Sequence, residues 1–279
     1  MKFSIIIPTI NRQSKLFLML TSLKNQSYKN FEVIVVDQND NEMLNYKIVE
    51  FQRDLKLLHI KAKPIGASNA RNIGIEKATG DILTFPDDDC EYLDNFLEQV
   101  SNHFQHNNID GLITTTEDKK DGKPIALLAS EQKIVTKKNI LSTVIEAGIF
   151  VKKDSINGCR FDINMGVGSL SPYWSDEGPD FILKLLQKGK NIVYCPQFKM
   201  YHPNPVKVYN KNTTIRSYKY GKGRGYFLRK NNYGLEFISY YLFLYLVGML
   251  KGILFFDIHM FNYFRKGFKG RFEGYFLSK

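Results

Sequence analysis

The sequence has few cysteines and little acidic charge in its final quarter, and each shortage excludes a class of protein. Only three cysteines occur among 279 residues, and Cys90, Cys159 and Cys195 are widely spaced. That odd number gives neither a disulfide framework nor a zinc motif, and it suits a reducing compartment. The apolar run at the amino end is short and meets Pro8 and Arg12, so we expect no export signal.

Acidic residues are so scarce after Pro203 that this scarcity accounts for the whole net charge. From Pro203 onward fourteen basic residues face three acidic ones, Glu236, Asp257 and Glu273, and that difference of eleven equals the formal net charge of +11. Residues 1–202 are therefore close to neutral. A neutral body with a basic, aromatic-rich tail predicts contact with an anionic surface, either a membrane or a nucleic acid, through the tail.

The first ninety residues alternate between buried-strand patterns and helical patterns. The predicted strands are 3–7, 31–36, 57–60 and 82–85, and the predicted helices begin near 11, 42 and 66. This alternation predicts an α/β fold with a mostly parallel sheet and helices on both faces. Ligands in such sheets bind beyond the carboxyl ends of the strands.

The pattern is less regular beyond residue 91. We predict a helix at 95–104, a strand at 111–116 and several short strands up to 151, which could pair antiparallel. A glycine- and serine-rich loop at 158–173 precedes a helix at 180–186 and a strand at 192–194.

Three consecutive carboxylates, Asp87, Asp88 and Asp89, follow the strand at 82–85. Adjacent like charges repel, so a triplet beside a core strand needs a counter-charge. A divalent cation would supply it, since Mg²⁺ and Mn²⁺ prefer carboxylates together with substrate phosphates. The alternative is a solvated acidic turn that caps the next helix.

Five segments in order extend this interpretation: SIIIPTINR, FEVIVVDQND, GASNARNIGIEKATGDILTFPDDD, SDEGPDF and YHP. Together they resemble the inverting glycosyltransferases of family 2, which have the GT-A fold. The resemblance implies a GT-A catalytic domain at 1–203, with a nucleotide-binding half at 1–90 and an acceptor-side half at 91–203.

The resemblance also implies a nucleotide-sugar site. The residues that would line the nucleotide pocket are Pro8, Thr9 and Arg12. Asp37 would accept a hydrogen bond from the base, usually uracil, while Arg71 and Asn72 would approach the base or the diphosphate. The alternatives are a strand-end turn for Asp37 and a surface position for Arg71.

The same resemblance implies a metal site made by Asp89, Asp87 and His202, with Asp88 assisting and Asp87 also near the ribose. Mn²⁺ or Mg²⁺ there would neutralise the negative charge that develops on the leaving diphosphate. The alternative for His202 is a purely structural role.

The sequence departs from the family at the general base. The family usually has Glu-Asp, a spacer and a further Asp, whereas this chain reads Asp176-Glu177-Gly178-Pro179-Asp180. Glu177 and Asp180 align with the outer acids, and Gly178 occupies the usual base position. We expect Glu177 to take the acceptor proton, with Asp176 as the alternative. Asp180 could equally cap the helix.

The tail divides into a basic segment at 204–232 and an aromatic helical segment at 233–279. The first predicts a flexible loop whose Lys219, Lys222 and Arg224 close over a diphosphate, or else a solvated linker. Residues 237–256 approach the length of a bilayer span. Their basic and aromatic neighbours favour attachment to an anionic membrane surface over dimer packing or a true span.

Together these features predict a bacterial-type, metal-dependent inverting glycosyltransferase. It would move a sugar from a nucleoside diphosphate, with UDP expected, onto a lipid-linked or growing polysaccharide at the cytoplasmic membrane face. The alternative is a catalytically silent nucleotide-sugar-binding partner of another transferase, which Gly178 favours. A nucleic-acid partner is not expected, because the tail charge lies beside an apolar segment.

Overall fold

The structure, a computed structural model, describes residues 1–124, 126–204 and 208–278. The strands are β1 (Phe3–Thr9), β2 (Phe31–Asp37), β3 (Leu57–Lys61), β4 (Ile82–Thr84), β5 (Gly111–Glu117), β6 (Lys133–Ile134), β7 (Ile149–Lys152) and β8 (Ile192–Tyr201). The helices are α1 (Gln13–Lys24), α2 (Asn45–Phe51), α3 (Ala67–Lys77), α4 (Phe96–His106), α5 (Lys153–Ile156), α6 (Glu177–Gln187), α7 (Lys211–Lys230), α8 (Leu235–Leu254) and α9 (Ile258–Phe276).

The described strands form an eight-stranded sheet in the order β3-β2-β1-β4-β7-β5-β8-β6. The pairs β1–β2, β2–β3, β1–β4 and β5–β8 are parallel. Strand β7 is antiparallel to both of its neighbours, and β6 is antiparallel to β8. The predicted α/β class with a mostly parallel sheet is therefore confirmed.

Helices cover both faces of the first half of the sheet. Strands β1 and β2 are buried at every position, which explains their unbroken apolar sequences. Ile5 and Ile7 join the core cluster that contains Leu16 of α1, whereas Gly74 of α3 lies directly against Ile6. Thr9 pairs in register with Asp37, so the carboxyl ends of β1 and β2 meet at one edge.

Several predicted boundaries differ from the observed ones. Helix α6 begins at Glu177, three residues before the predicted start, so all of the acids at 177–180 lie in its first turn. Strand β8 continues to Tyr201, well beyond the predicted end at 194. Its later part pairs with the end of β5, and tertiary pairing rather than local pattern sets its length.

Contacts divide the chain into two compact units. The first unit contains Met1–Ile65, Asn69–Phe161 and Phe181–Pro205, and it includes the sheet. The second contains Gly66–Ser68, Asp162–Asp180 and Val206–Lys279. The functional boundaries predicted at 203 and 232 stay predictions.

The prediction of a flexible basic loop at 204–232 is wrong over 211–230, where the chain forms helix α7. Asn210 and Thr213 form a capping box at its start. The glycines mark close packing: a Cβ on Gly221 would lie 2.5 Å from the carbonyl oxygen of Gly267 in α9. The part of the prediction at 205–207 lies outside the described residues.

Helices α8 and α9 form an antiparallel hairpin. Gly252 of α8 lies against Phe261 of α9, and Gly248 lies against Phe264. Residue numbers therefore fall along α8 as they rise along α9. Among the described residues, α8 alone is long and apolar enough to cross a bilayer by length and composition, and few of its side chains are buried.

Candidate functional site

Asp37 ends β2 and is fully buried in the first unit. Its Oδ2 lies 2.9 Å from His59 Nε2 and 3.1 Å from Lys61 Nζ. Its Oδ1 accepts hydrogen bonds from the main-chain and side-chain N–H groups of Asn39. Burial alone would raise the pKa of the Asp37 carboxyl, but these partners lower the pKa overall. The four contacts fill the acceptor positions of the carboxylate.

Thr9, the last residue of β1, and Arg12, which precedes α1, both contact Asp88. Thr9 Oγ1 donates a hydrogen bond of 2.8 Å to Asp88 Oδ2, and Arg12 Nη1 lies 3.2 Å from Asp88 Oδ1 and 2.9 Å from Asp89 Oδ2. Burial raises the pKa of Asp88 to about 6 despite these partners. Pro8 is buried within β1. The predicted nucleotide contacts of Pro8, Thr9 and Arg12 stay predictions.

Asp87, Asp89 and His202 converge at one point in the first unit. His202 Nε2 lies 3.3 Å from Asp89 Oδ1 and 3.7 Å from Asp87 Oδ2. One candidate ligand atom from each residue lies within 4.8 Å of the other two. Burial would lower the pKa of His202, but the two carboxylates raise it overall. Asp88 is not a member of this cluster.

The orientation of His202 is set by its other ring nitrogen. Nδ1 lies 3.0 Å from the carbonyl oxygen of Pro203, which can only accept a hydrogen bond. Nδ1 therefore carries a proton, and in the neutral ring Nε2 presents its lone pair to Asp87 and Asp89. Two carboxylates and an imidazole lone pair are a suitable ligand set for a divalent cation.

Arg71 orients Asp87 from helix α3. It is nearly fully buried, donates to Asp87 Oδ1 at 2.9 Å, and lies 5.5 Å from the centroid of the Phe161 ring. Burial would raise the pKa of Asp87, but His202 and Arg71 lower it to about 2. Asn72 exchanges two hydrogen bonds with the main chain of Phe161, each 2.9 Å long. The surface alternative for Arg71 is therefore wrong, and its ligand contacts and those of Asn72 stay predictions.

A cavity of about 180 Å³ adjoins the cluster of Asp87, Asp89 and His202. Its lining includes Asp89 and His202 together with Lys119 and Lys120. The same lining includes Asp118 and Glu91, and Glu91 pairs with Lys119 at 2.7 Å, so the cavity presents charges of both signs.

The acids at the start of α6 belong to the second unit, and helix α7 holds two of them. Asp176 receives two hydrogen bonds from Arg224, of 2.7 and 2.8 Å, and its own φ is +66°. Asp180 is fully buried, with Lys230 Nζ at 2.8 Å and Asn231 Nδ2 at 3.2 Å from its Oδ1. These contacts fix both ends of the first turn of α6.

Glu177 is buried against a glycine of the preceding loop. Gly166 has a φ of +96°, and a Cβ there would lie 3.0 Å from Glu177 Oε1 and 2.9 Å from Ser68 Oγ. A side chain at residue 166 would therefore crowd the Glu177 carboxyl, which would have to shift by a few tenths of an ångström. The Gly166 position is specified by this acid as well as by its backbone conformation.

Sequence reasoning missed the role of the α7 cations. Lys219 Nζ lies 3.5 Å from the Trp174 ring centroid, Lys222 is 3.7 Å from Glu273, and Arg224 binds Asp176. The prediction that a flexible loop carries these three side chains over a diphosphate is wrong, because a helix holds them in packing contacts. The signal for the helix was Asn210-x-x-Thr213, a capping pattern before the basic run.

The fold and the ordered motifs define a GT-A glycosyltransferase. The sequence pattern described as Glycosyl transferase family 2 matches residues 4–209, and the chain belongs to this family. Family 2 is a family of glycosyltransferases, and the curated relatives of this chain are named as glycosyltransferases.

Two relatives have defined activities. The UDP-Glc:alpha-D-GlcNAc-diphosphoundecaprenol beta-1,3-glucosyltransferase WfgD of Escherichia coli is 27% identical over 135 residues, which is 48% of this chain and 53% of that protein. The GalNAc(5)-diNAcBac-PP-undecaprenol beta-1,3-glucosyltransferase of Campylobacter jejuni is 34% identical over 102 residues, 36% of this chain and 33% of that protein. The chain thus spans between a third and about half of these relatives.

A solved structure shares the fold over the full chain. The mannosyltransferase PcManGT of Pyrobaculum calidifontis, in complex with GDP-Man and Mn²⁺, has a TM-score of 0.63 and 13% identity. The match covers 100% of this chain and 88% of that one. At this identity the likeness establishes the fold alone.

Proposed function

We propose that this chain is a metal-dependent inverting glycosyltransferase that moves a sugar from UDP onto a lipid-linked acceptor. The observation that carries the proposal is the convergence of Asp87, Asp89 and His202, whose candidate ligand atoms lie within 4.8 Å of one another. The carboxyl end of a strand in an open α/β sheet is where such folds bind their ligands.

Mn²⁺ or Mg²⁺ would be held by Asp87, Asp89 and His202, and its charge would stabilise the leaving diphosphate. The chain prepares this position with its own residues. Arg71 occupies one oxygen of Asp87 and leaves the other turned to His202. The carbonyl of Pro203 keeps the Nε2 lone pair of His202 directed to the same point.

Uracil is the proposed base because the name of the Escherichia coli relative specifies a UDP donor. Asp37 would accept the N3–H of uracil. Since its four acceptor positions are filled, the base would replace one partner, and Lys61 is the most exposed of the three. Arg12, exposed beside Asp88 and Asp89 at the start of α1, would contact the nucleotide.

Glu177 is the proposed base that takes the proton of the acceptor hydroxyl. Asp176 uses both oxygens on Arg224, and Asp180 is held by Lys230 and Asn231. These two acids therefore serve to fix the start of α6. Glu177 is the first residue of α6 and directly follows Asp176. An inverting transfer requires a carboxylate that can take the proton of the acceptor hydroxyl.

A lipid-linked acceptor at the cytoplasmic membrane face is proposed from the relatives, because both are named for acceptors joined to undecaprenol through a diphosphate. A growing polysaccharide is the alternative acceptor. Peripheral attachment fits the basic, aromatic tail, and a homodimer through the tail is the other arrangement to test.

A second candidate is a catalytically silent nucleotide-sugar-binding subunit, which Gly178 favours because it stands at the usual base position. One experiment separates the two. A panel of nucleotide sugars is screened for Mn²⁺-dependent thermal stabilisation, and transfer to undecaprenyl-diphosphate-linked sugars is measured on the same samples. Stabilisation by UDP-sugars with transfer supports the enzyme. Stabilisation without turnover on any acceptor supports the silent subunit, and the absence of both contradicts nucleotide binding altogether.

A further inference from the structure

We propose that the α8–α9 hairpin attaches the protein to a membrane by inserting its turn shallowly into one leaflet. Its tip, residues 248–264, enters the boundary between headgroups and acyl chains of an anionic bilayer without either helix crossing it. The inference rests on the proposed function only in that the acceptor is membrane-bound. The inserted surface, the depth of insertion and the preference for anionic lipid are properties of the hairpin itself.

The tip exposes large apolar side chains on all sides of its turn. Leu254 is 71% exposed, Phe255 67% and Phe256 96%, and Leu250, Ile253 and Ile258 are also mostly exposed. Phe256 has a φ of +53°, a region that non-glycine residues rarely adopt. A group of exposed apolar side chains at the turn between two helices is typical of a site that contacts lipid or protein.

The length of the tip matches a shallow insertion. Helix α8 covers about 9 Å from Gly248 to Leu254, and α9 covers a similar distance from Ile258 to Phe264, at 1.5 Å per residue. Helices that lie in the interface bury their apolar surface by about 5–10 Å. In the tip the formally charged residues are Lys251 and Asp257, and Asp257 caps α9 through the main-chain N–H of Met260.

A basic collar stands directly behind the tip. Arg265 and Lys266 are exposed and lie about 10 Å from the start of α9, while Lys251 is exposed on α8. With the tip inserted, Arg265 and Lys266 reach the phosphate level, and the long Lys251 side chain can extend to it. Clustered cations at this level attract anionic lipid.

The packing of α9 excludes a span by α8. Because the hairpin is antiparallel, placing all of α8 across the hydrocarbon would carry the adjacent α9 with it. That movement would bring the charged residues of α9 to the bilayer centre, where each is strongly unfavourable. Those residues are Arg265, Lys266, Lys269, Arg271 and Glu273.

The charge of the hairpin favours a bilayer over a second copy of the chain. A symmetric contact between two tips would place two basic collars close together, and like charges across an interface oppose association. An anionic bilayer complements both parts of the surface, since it takes the apolar tip and neutralises the collar.

Co-sedimentation of the full chain with vesicles tests the proposal. Vesicles of phosphatidylcholine, with or without phosphatidylglycerol, are mixed with the protein in the absence of nucleotide and acceptor. We expect Phe255→Ser/Phe256→Ser to lose binding by at least about tenfold. Arg265→Gln/Lys266→Gln should lose about fivefold per cation, and only with phosphatidylglycerol present. Leu127→Ser, at a position 97% exposed in the first unit, is the matched control and should bind like the parent.

Insertion depth is measured by fluorescence. Phe256→Trp should gain emission that lipids brominated on their acyl chains quench, whereas Leu127→Trp should not, after subtraction of the parent signal from Trp174. Unfolding curves equal to the parent establish that the tip variants fold. Parent-like vesicle binding by the double phenylalanine variant, or unquenched Phe256→Trp, overturns the proposal. So does a parent that fails to bind vesicles but forms a dimer that this variant abolishes. Vesicle binding without sugar transfer contradicts only the proposed function.

Discussion

Arg224 and Asp176 are joined by two hydrogen bonds, 2.7 Å from Nε to Oδ2 and 2.8 Å from Nη2 to Oδ1. The guanidinium also lies 4.7 Å from the ring centroid of Tyr241 in α8. Asp176 is held in the left-handed region, directly before the helix that begins with Glu177. The pair therefore fixes the backbone conformation from which the acid motif starts.

Loss of this pair should be costly to stability. We expect Arg224→Ala to lower the free energy of unfolding by about 3 kcal/mol, because Asp176 remains buried without its partner. Arg224→Lys should recover only part of the loss, since an ammonium cannot form the paired geometry. Denaturant unfolding monitored by circular dichroism measures both. Arg229→Ala, exposed on the same helix, is the matched control with a change within about 0.5 kcal/mol. Equal stability of Arg224→Ala and Arg229→Ala would contradict this account.

The acid motif should separate into one catalytic and two positioning residues. We expect Glu177→Gln to reduce transfer by about a hundredfold to ten-thousandfold with donor affinity nearly unchanged. Asp176→Asn should lose stability clearly, because it weakens the ion pair with Arg224. Asp180→Asn should lower both activity and stability. Turnover, donor affinity and unfolding are compared for the three variants. Full activity in Glu177→Gln would place the base elsewhere.

The metal assignment predicts a specific loss of cation-dependent binding. We expect Asp89→Ala to abolish Mn²⁺-dependent UDP binding, because it removes one of three convergent ligands, while the fold survives. Titration calorimetry with and without EDTA measures this. Asp94→Ala, at an exposed carboxylate five residues on, is the control and should bind like the parent. Unchanged, metal-insensitive UDP binding in Asp89→Ala would disprove the assignment.

Glu32 predicts how stability depends on pH. Burial would raise the pKa of its carboxyl, but hydrogen bonds from Lys2, Ser4 and Thr79 lower it to about 2, from an ordinary value of 4.5. Because the folded pKa is lowered, the stabilisation is fully present above pH 4.5 and is lost as the pH falls toward 2. We expect Glu32→Gln to lower the free energy of unfolding by about 2 kcal/mol at pH 7. The difference from the parent should shrink below pH 4.5, and a constant difference down to pH 2 would contradict the prediction.

The first half of the sheet could be predicted because its strands are buried on both faces. Phe3–Thr9 and Phe31–Asp37 have no exposed position to interrupt the apolar pattern. The meeting of Asp87, Asp89 and His202 was also predictable, from the carboxyl end of a strand and the resemblance. The contacts of His59 and Lys61 with Asp37 were not, because these side chains of β3 come beside β2 only in the folded sheet.

Helix α7 could not be predicted from local preference. Each glycine costs about 1 kcal/mol relative to alanine in a helix interior, and Gly221, Gly223 and Gly225 alternate along one short stretch of α7. Tertiary contact reverses that preference. A Cβ on Gly223 would lie 2.6 Å from the main-chain nitrogen of Ser175, and Gly221 and Gly225 face α9. The helix forms because its two sides are packed, and neither neighbour is near in sequence.

The second unit is assembled from three separate stretches of chain, 66–68, 162–180 and 206–279. This arrangement limits how the protein can be recombined with its relatives. A graft that exchanged only the residues after 203 would bring a foreign α7 to the native acid motif, and Arg224 and Asp176 would then come from different parents. Transplanting the loop at 162–180 alone would create the same mismatch from the other side. Chimeras intended to change the acceptor should therefore take residues 162–180 and 206–279 from the same parent protein.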